Sequence, residues 1–282
     1  MDATLTPTHG ALTSDQVDIL SQLLGVHDVL ITVVSGASSD SLERRICARI
    51  APRLRQGMVL YSNHGGSCLQ FTGAGRARYH YDNAPLFGHY RESITQLVLT
   101  YTRKRGHLPT LFRKGDQAVS GNVCIEQKEV QTTLTLLGLE SQRKKIVVDL
   151  SRTIAAVHGD RFIVRAAGTK SIDILPATST KARAVQHLVN RLPRLGVATD
   201  AEATIVGDSF GPGEPDNELL HPHFTGSHVF CAGSSKPDYR GFVVSGGENT
   251  GPTGTFAFLR QHFALDRAAE HHTEGGGIRR CR

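Results

Sequence analysis

Apolar and polar positions in the first part of the chain follow a pattern typical of an α/β protein. Thr13-Ser-Asp-Gln16 is a capping box with apolar residues behind it at helical spacing, which predicts a helix over 14–24. A β-branched run predicts a buried strand over 27–34, and a second helix and strand are predicted over 39–50 and 58–61. Alternating helices and strands of this kind predict a core with a parallel sheet.

The pattern changes between residues 85 and 168. A helix over 90–101 is followed by short pieces rich in β-forming residues at 108–113 and 118–126, a helix over 140–155 and a further short piece at 162–166. This texture predicts an α+β domain inserted into the core.

The alternating pattern resumes near Lys170. We predict a strand over 171–175, then a helix with Val185 and Leu188 on its apolar face, and further strands over 204–206 and 242–244. The predicted organisation is therefore core (1–84), α+β insertion (85–168), core (169–265) and a charged, glycine-rich tail (266–282) that we expect to be disordered.

The amino-acid composition predicts the class of protein and its compartment. The 282 residues are 39% hydrophobic and 21% charged, which is ordinary for a soluble domain. No apolar run approaches the roughly 18 residues that a membrane span needs, so no membrane contact is expected. Five widely spaced cysteines without a Cys-x-x-Cys pair indicate free thiols in a reducing compartment, and we predict a cytoplasmic location.

The net charge of +6 admits an anionic partner. No aromatic side chains interleave with the basic runs, which argues against a nucleic-acid surface built on stacking. A small anionic substrate suits these basic residues equally well.

Three strand or helix ends carry candidate chemistry. Ser35 and Gly36 follow a strand, where a hydroxyl and backbone amides can bind phosphate, although a simple turn would use the same residues. Lys181 begins a helix and is either a phosphate contact or a solvated lysine. Asp208 follows Gly207 at a strand end, and a second acidic cluster at Asp216 favours a Mg²⁺ site over a structural turn.

Together these segments resemble the haloacid-dehalogenase superfamily, and within it the phosphomannomutases, up to about residue 265. The resemblance rests on the order and spacing of several motifs, each of which is weak alone. These are Asp2-Ala-Thr4-Leu-Thr-Pro7, Ser35-Gly36, Ser62-Asn-His-Gly-Gly66, Lys104-Arg105-Gly106, Phe112-Arg113-Lys-Gly115, Ser171-x-Asp173-x-x-Pro176 with Lys181, and Gly207-Asp208 with Gly213 and Asp216.

The resemblance implies a Rossmann-like core with an inserted α+β cap and chemistry through an aspartyl-phosphate. It implies Mg²⁺-dependent phosphoryl transfer on hexose phosphates, interconverting mannose 6-phosphate and mannose 1-phosphate, and pairing of two copies through their caps. The implied roles are acid/base catalysis for Asp2, a catalytic phosphate contact for Lys181, substrate or phosphate binding for Thr4, Ser35, Gly36, Arg105, Arg113, Ser171 and Asp173, and metal binding for Asp208 supported by Asp216.

Three departures from the family pattern keep alternatives open. Ala3 replaces the glycine of the first motif, and one arginine of the cap has no counterpart near 119–122, which makes a sugar-phosphate phosphatase an alternative to a mutase. The nucleophilic aspartate would fall immediately before Met1. Our hypothesis is that a longer reading frame supplies this aspartate and the first core strand, without which a buried slot opens. A catalytically inactive binding or regulatory protein is the third alternative.

Overall fold

The computed structural model describes residues 4–6, 10–27, 29–112, 121–167, 170–198, 201–210, 215–233, 242–245 and 250–265. Two predicted site residues, Asp2 and Arg113, and the predicted disordered tail lie outside the described residues. No helix within the described ranges is long and apolar enough to cross a membrane.

The first part of the core starts with the predicted capped helix. Thr13 Oγ1 accepts a hydrogen bond from the Gln16 amide, and Gln16 Oε1 accepts one from the Thr13 amide. The predicted second helix is shorter than expected, because after Arg45 it gives way to a 3₁₀ turn over Cys47–Arg49. The elements are α1 (Ser14–Gly25), β1 (Ile31–Val34), α2 (Ser39–Arg45), β2 (Met58–Ser62), β3 (Ser67–Phe71) and β4 (Ala77–Asp82).

These four strands form one sheet in the order β1-β2-β3-β4. The predicted parallel pairing holds between β1 and β2, where Val33 lies opposite Leu60. β3 and β4 add an antiparallel hairpin that was not predicted. One apolar cluster contains side chains from α1, β1, α2 and β2. It also contains side chains that lie much later in the sequence, such as Phe256 and Leu259.

The inserted domain has its own sheet and its own apolar core. Two long helices pack on a five-stranded sheet, with side chains such as Val98, Leu150 and Ile125 fully buried between them. The elements are α3 (Ala84–Lys104), β5 (Pro109–Phe112), β6 (Val123–Gln127), β7 (Thr132–Leu136), α4 (Arg143–His158), β8 (Phe162–Ala167) and β9 (Ser171–Pro176). The strand order is β5-β6-β7-β9-β8. We call this inserted domain the cap.

The position of β9 corrects one prediction. The sequence pattern predicted that the parallel core resumes at Ser171, but β9 is antiparallel to both of its neighbours and lies inside the cap sheet. Asp173, for example, pairs with Thr133 on one side and Arg165 on the other. The cap sheet therefore extends to Pro176, beyond the limit of 168 that we predicted.

The rest of the core is again parallel. β10 pairs with β11, and β11 with β12, all in the same direction. The strands predicted near 204 and 242 are present, whereas β11 and the last helix were not predicted. The elements are α5 (Lys181–Val189), β10 (Thr204–Gly207), β11 (His228–Cys231), β12 (Val243–Ser245) and α6 (Gly251–His262).

A cleft separates the two parallel parts of the core. In the described part of the chain β1 pairs only with β2 and β10 pairs only with β11, so one edge of each strand has no ladder partner. Both strands line a cavity of about 480 Å³. Its walls are mainly apolar, with Leu20, Leu23, Val185, Leu188, Leu259 and Phe263 among the lining residues.

Candidate functional site

A buried ion pair lies at the carboxyl end of β10. Lys181 is the first residue of α5, whose N-cap Thr180 accepts a hydrogen bond from the Arg183 amide. The Lys181 ammonium pairs with Asp216 Oδ1, and both side chains are more than nine-tenths buried. Burial opposes ionisation of Asp216, but the charge and hydrogen bond of Lys181 together with the hydrogen bond from the Asp208 amide outweigh it and hold the pKa of this carboxyl below its usual value.

Asp208 lies beside this pair. Asp216 Oδ2 accepts hydrogen bonds from the backbone amides of Asp208, at 2.8 Å, and Ser209, at 3.1 Å. Thr4 Oγ1 donates to Asp208 Oδ1 at 2.9 Å. Burial and the negative charge of Asp216 raise the pKa of Asp208. The structure thus brings together Thr4, Lys181, Asp208 and Asp216 from three separate parts of the sequence, and their roles stay predictions.

The carboxylates fit a magnesium ion. Among the described residues no group of three His, Cys, Asp or Glu side chains could hold a metal ion. Mg²⁺, however, commonly uses one or two protein carboxylates and takes its other ligands from water and phosphate. A cation near Asp208 would relieve the repulsion that raises its pKa, while Lys181 and two backbone amides already occupy Asp216. Asp208 therefore suits a direct ligand and Asp216 a supporting residue.

Glu218 extends this site toward the cap and was missed from the sequence. Its Oε2 accepts hydrogen bonds from the amides of Lys181, at 2.7 Å, and Ala182, at 3.2 Å, at the amino end of α5. Its Oε1 lies 3.8 Å from Arg165 Nη1 on β8. Glu218 thus connects the core helix that carries Lys181 to the cap sheet. Its place two residues after Asp216, in the same acidic cluster, was the only signal in the sequence.

A second group of polar residues surrounds the turn after β1. The Ser35 hydroxyl is buried and accepts a hydrogen bond from the Ala37 amide at 3.1 Å. The Ser35 carbonyl accepts one from the His64 amide at 2.7 Å, and the His64 ring lies directly against Gly36. His64 Nε2 and Asp173 Oδ2 are 3.0 Å apart, so the core turn is joined to the cap strand β9.

Asp173 has a further partner in the cap. Thr133 Oγ1, on β7, donates to Asp173 Oδ1 at 2.7 Å. Burial of Asp173 opposes its charge, but the hydrogen bond from His64 and the charges around it lower the pKa of this carboxyl. His64 and Thr133 were not predicted as site residues. His64 lies in a segment compared with a family motif, but no local pattern marks Thr133.

Two other predicted residues lie apart from these contacts. Arg105 forms an ion pair of 2.7 Å with Asp149 of α4, and its guanidinium lies over the Tyr101 ring. It is therefore held on the helical side of the cap. Ser171 occupies the first position of β9, opposite Thr135 and Ala167. Their predicted roles in substrate binding stay predictions.

Comparisons with known proteins identify the fold. No family model matches the chain, and no curated protein sequence matches it. Solved structures do match over almost the whole chain, at low sequence identity.

Three of the matching structures illustrate this similarity. The C-terminal domain of trehalose-6-phosphate phosphatase from C. albicans is 17% identical, with a TM-score of 0.62 over 92% of this chain and 87% of that chain. SMU.1108c from Streptococcus mutans is 17% identical, with a TM-score of 0.58 over 94% and 97%. The IMP-nucleotidase of Plasmodium falciparum is 11% identical, with a TM-score of 0.58 over 94% and 66%. The predicted capped α/β fold is confirmed, because this chain has the fold of these structures; the phosphomannomutase subtype stays a prediction.

Proposed function

We propose that this protein has the binding site of a phosphoryl-transfer enzyme that acts on hexose phosphates. The observation that carries the proposal is the cluster of Thr4, Lys181, Asp208 and Asp216 at the carboxyl end of β10. Ligand sites of open parallel sheets lie at this edge. A buried ammonium beside two carboxylates provides one charge for phosphate oxygens and a separate place for a cation.

Each residue of the site has a distinct task in this proposal. The Lys181 ammonium, the Ser35 hydroxyl and the Gly36 amide bind the phosphate oxygens as donors, whereas the Ser35 amide already donates to the Tyr61 carbonyl. Asp208 holds Mg²⁺, and Asp216 keeps both Lys181 and the Asp208 backbone in place. When bound, Mg²⁺ neutralises phosphate charge during transfer.

The cleft between β1 and β10 is the proposed seat of the nucleophile. Thr4 and Leu5 line the cleft, and Thr4 contacts Asp208 just beyond the end of β10. A strand that runs parallel to β10 in this cleft would finish at the end where Asp208 and Thr4 lie. A segment placed ahead of Asp2 could therefore pair with both strands and deliver a carboxylate beside Lys181 and Asp208.

Hydrolysis is the reaction that the cap supports better. A mutase has to hold a bisphosphate in two orientations, and Arg105, one of the expected cap contacts, is engaged with Asp149. One structural neighbour is named for a sugar phosphate, trehalose 6-phosphate. We therefore favour a sugar-phosphate phosphatase, with phosphomannomutase activity as the second candidate because of the motifs at Ser171, Asp173 and Lys181.

The experiment compares three proteins: this chain, the chain with an added apolar strand ending in Asp ahead of Met1, and the same extension ending in Asn. Unfolding temperature, phosphate release from mannose 6-phosphate, and its conversion to mannose 1-phosphate are measured with Mg²⁺. Both extensions should raise the unfolding temperature, because they fill the cleft. Only the Asp form should release phosphate.

The outcomes separate the alternatives. Isomerisation without phosphate release would favour the mutase over the phosphatase. Stabilisation by both extensions without any turnover would favour a non-catalytic binding protein on the same fold. If neither extension stabilises the chain, the cleft does not accept a strand and the proposed position of the nucleophile is wrong.

A further inference from the structure

His64 occupies the junction between the core and the cap. It lies in the 3₁₀ turn Asn63–Gly65 that follows β2. Its backbone amide donates a hydrogen bond to the Ser35 carbonyl. A Cβ atom placed on Gly36 would lie 2.5 Å from the His64 ring. The imidazole is therefore in direct contact with the turn that we propose binds phosphate.

The backbone at this turn is strained in order to place the ring. Asn63 and His64 adopt φ angles of 50° and 59°, in the left-handed region that residues other than glycine rarely occupy. Such strain is often found at binding and catalytic sites. The turn thus carries the imidazole at the position where it contacts Gly36 and Asp173.

The partner of Nε2 determines which hydrogen bond the other ring nitrogen can make. Asp173 is buried and ionised, so its carboxylate oxygens only accept hydrogen bonds, and Nε2 has to donate. Burial lowers the pKa of His64 to about 4. The imidazole is therefore neutral at pH 7, and Nδ1 carries a lone pair.

The charged groups around the ring support the neutral form. Arg165 on β8 and Lys181 on α5 both act to lower the pKa of His64, while Asp173 on β9 acts to raise it. His64 Nδ1 is buried and has no hydrogen-bond partner among the described residues. A buried acceptor without a partner is unfavourable, which makes a donor from a ligand favourable here.

We propose that His64 is a specificity-determining residue whose Nδ1 accepts a hydrogen bond from a hydroxyl group of the substrate. This inference rests on the proposed function and adds to it a residue that selects the substrate. An acceptor nitrogen repels a phosphate or carboxylate oxygen and attracts an O–H group. The substrate is then a phosphate ester with a hydroxyl near the cap junction, such as a sugar or polyol phosphate, and not a phosphorylated carboxylic acid.

The first measurement is the protonation of the His64 ring by ¹⁵N nuclear magnetic resonance on the whole chain at pH 7. A proton on Nε2 and none on Nδ1 is expected. A proton on Nδ1 would overturn the inference, because the nitrogen could then no longer accept a hydroxyl.

The second measurement is calorimetric binding of mannose 6-phosphate and inorganic phosphate. His64→Asn is the main variant, because asparagine tolerates the left-handed backbone and removes the imidazole ring. It should weaken mannose 6-phosphate about 10-fold and change phosphate less than about 2-fold, as expected when a buried hydrogen bond is lost. His64→Phe preserves the ring volume and should show the same pattern.

A matched control separates this effect from general loss of a buried histidine. His158 is also largely buried, but it lies in the cap, bonded to Ser93, so His158→Phe should leave both affinities unchanged. Equal weakening of both ligands by His64→Asn, or no weakening, would overturn the inference and leave the proposed function standing. If the unaltered chain binds neither ligand, the proposed function fails and the inference fails with it.

Discussion

The Lys181 ammonium and the Asp216 carboxylate form a buried ion pair between the start of α5 and the loop after β10. Two backbone amides also donate hydrogen bonds to this carboxylate, and one of them belongs to Asp208. The position of the phosphate contact and that of the proposed metal ligand therefore depend on the same carboxylate. A substitution at Asp216 should therefore disturb both the phosphate contact and the proposed metal ligand.

Removing one partner of the pair should destabilise the fold strongly. Lys181→Met leaves Asp216 charged and buried without its cation, and the expected loss is about 3–5 kcal/mol in the free energy of unfolding. Adding Asp216→Asn to Lys181→Met should recover part of this loss, because no uncompensated charge is left. Urea denaturation measures both values; equal stability of the single and double variants would contradict the prediction.

A fall in pH should destabilise the chain at pH values that are still above those at which carboxylates titrate. His64 is neutral in the folded state, with a pKa of about 4, whereas in the unfolded chain it takes up a proton near pH 6.5. Stability is therefore complete above the unfolded pKa and decreases as the pH falls from 6.5 toward 4. Between pH 7 and pH 5 this residue alone should cost about 2 kcal/mol.

The matched variant for this pH effect is His64→Asn, which does not titrate. Its free energy of unfolding should fall less over the same pH range. The depressed pKa values of Asp173 and Asp216 contribute at lower pH, since their stabilisation is lost only as the pH falls through the folded pKa. An equal pH slope in both proteins would show that His64 is not the responsible group.

A methyl group at Gly36 should disturb the junction between core and cap. Its Cβ would lie 2.5 Å from two atoms of the His64 ring, so the ring has to move away from Asp173. Gly36→Ala should cost about 1–3 kcal/mol, as overpacking usually does. In a His64→Ala background the same change should cost much less. Gly88→Ala is the control, because it lies in α3 with no atom within 4 Å of its Cβ position.

Glu218 should stabilise the amino end of α5 in proportion to the acceptors it provides. Glu218→Ala removes the acceptor of two helix amides and the partner of Arg165, and we expect a loss of about 1–2 kcal/mol. Glu218→Gln keeps one acceptor oxygen and should lose less. Thermal unfolding of the two variants at pH 7 gives the comparison; a larger loss with glutamine would contradict the capping role.

Local sequence signals predicted the elements whose formation depends on neighbouring residues. The capping box at Thr13, the β-branched run before Ser35 and the apolar face of α5 were all read correctly, because hydrogen bonds and periodicity within a few residues determine them. β11 was missed because its four residues, His228–Cys231, carry no clear period. The β3–β4 hairpin was missed although β4 alternates apolar and polar residues and the connecting turn contains Gly73 and Gly75, which are hairpin signals.

The sequence by itself determined the type of fold and the order of the hydroxyl, lysine and carboxylate groups at the ends of its elements. Tertiary structure alone decided that β9 lies inside the cap sheet, that His64 meets Asp173, that Glu218 reaches Arg165, and that a cleft separates β1 from β10. The reason is physical: periodicity records which face of an element is buried, but not which distant strand it pairs with. Pairings between residues far apart in the chain depend on packing of the whole molecule, and at this junction they create the polar contacts on which the proposed specificity rests.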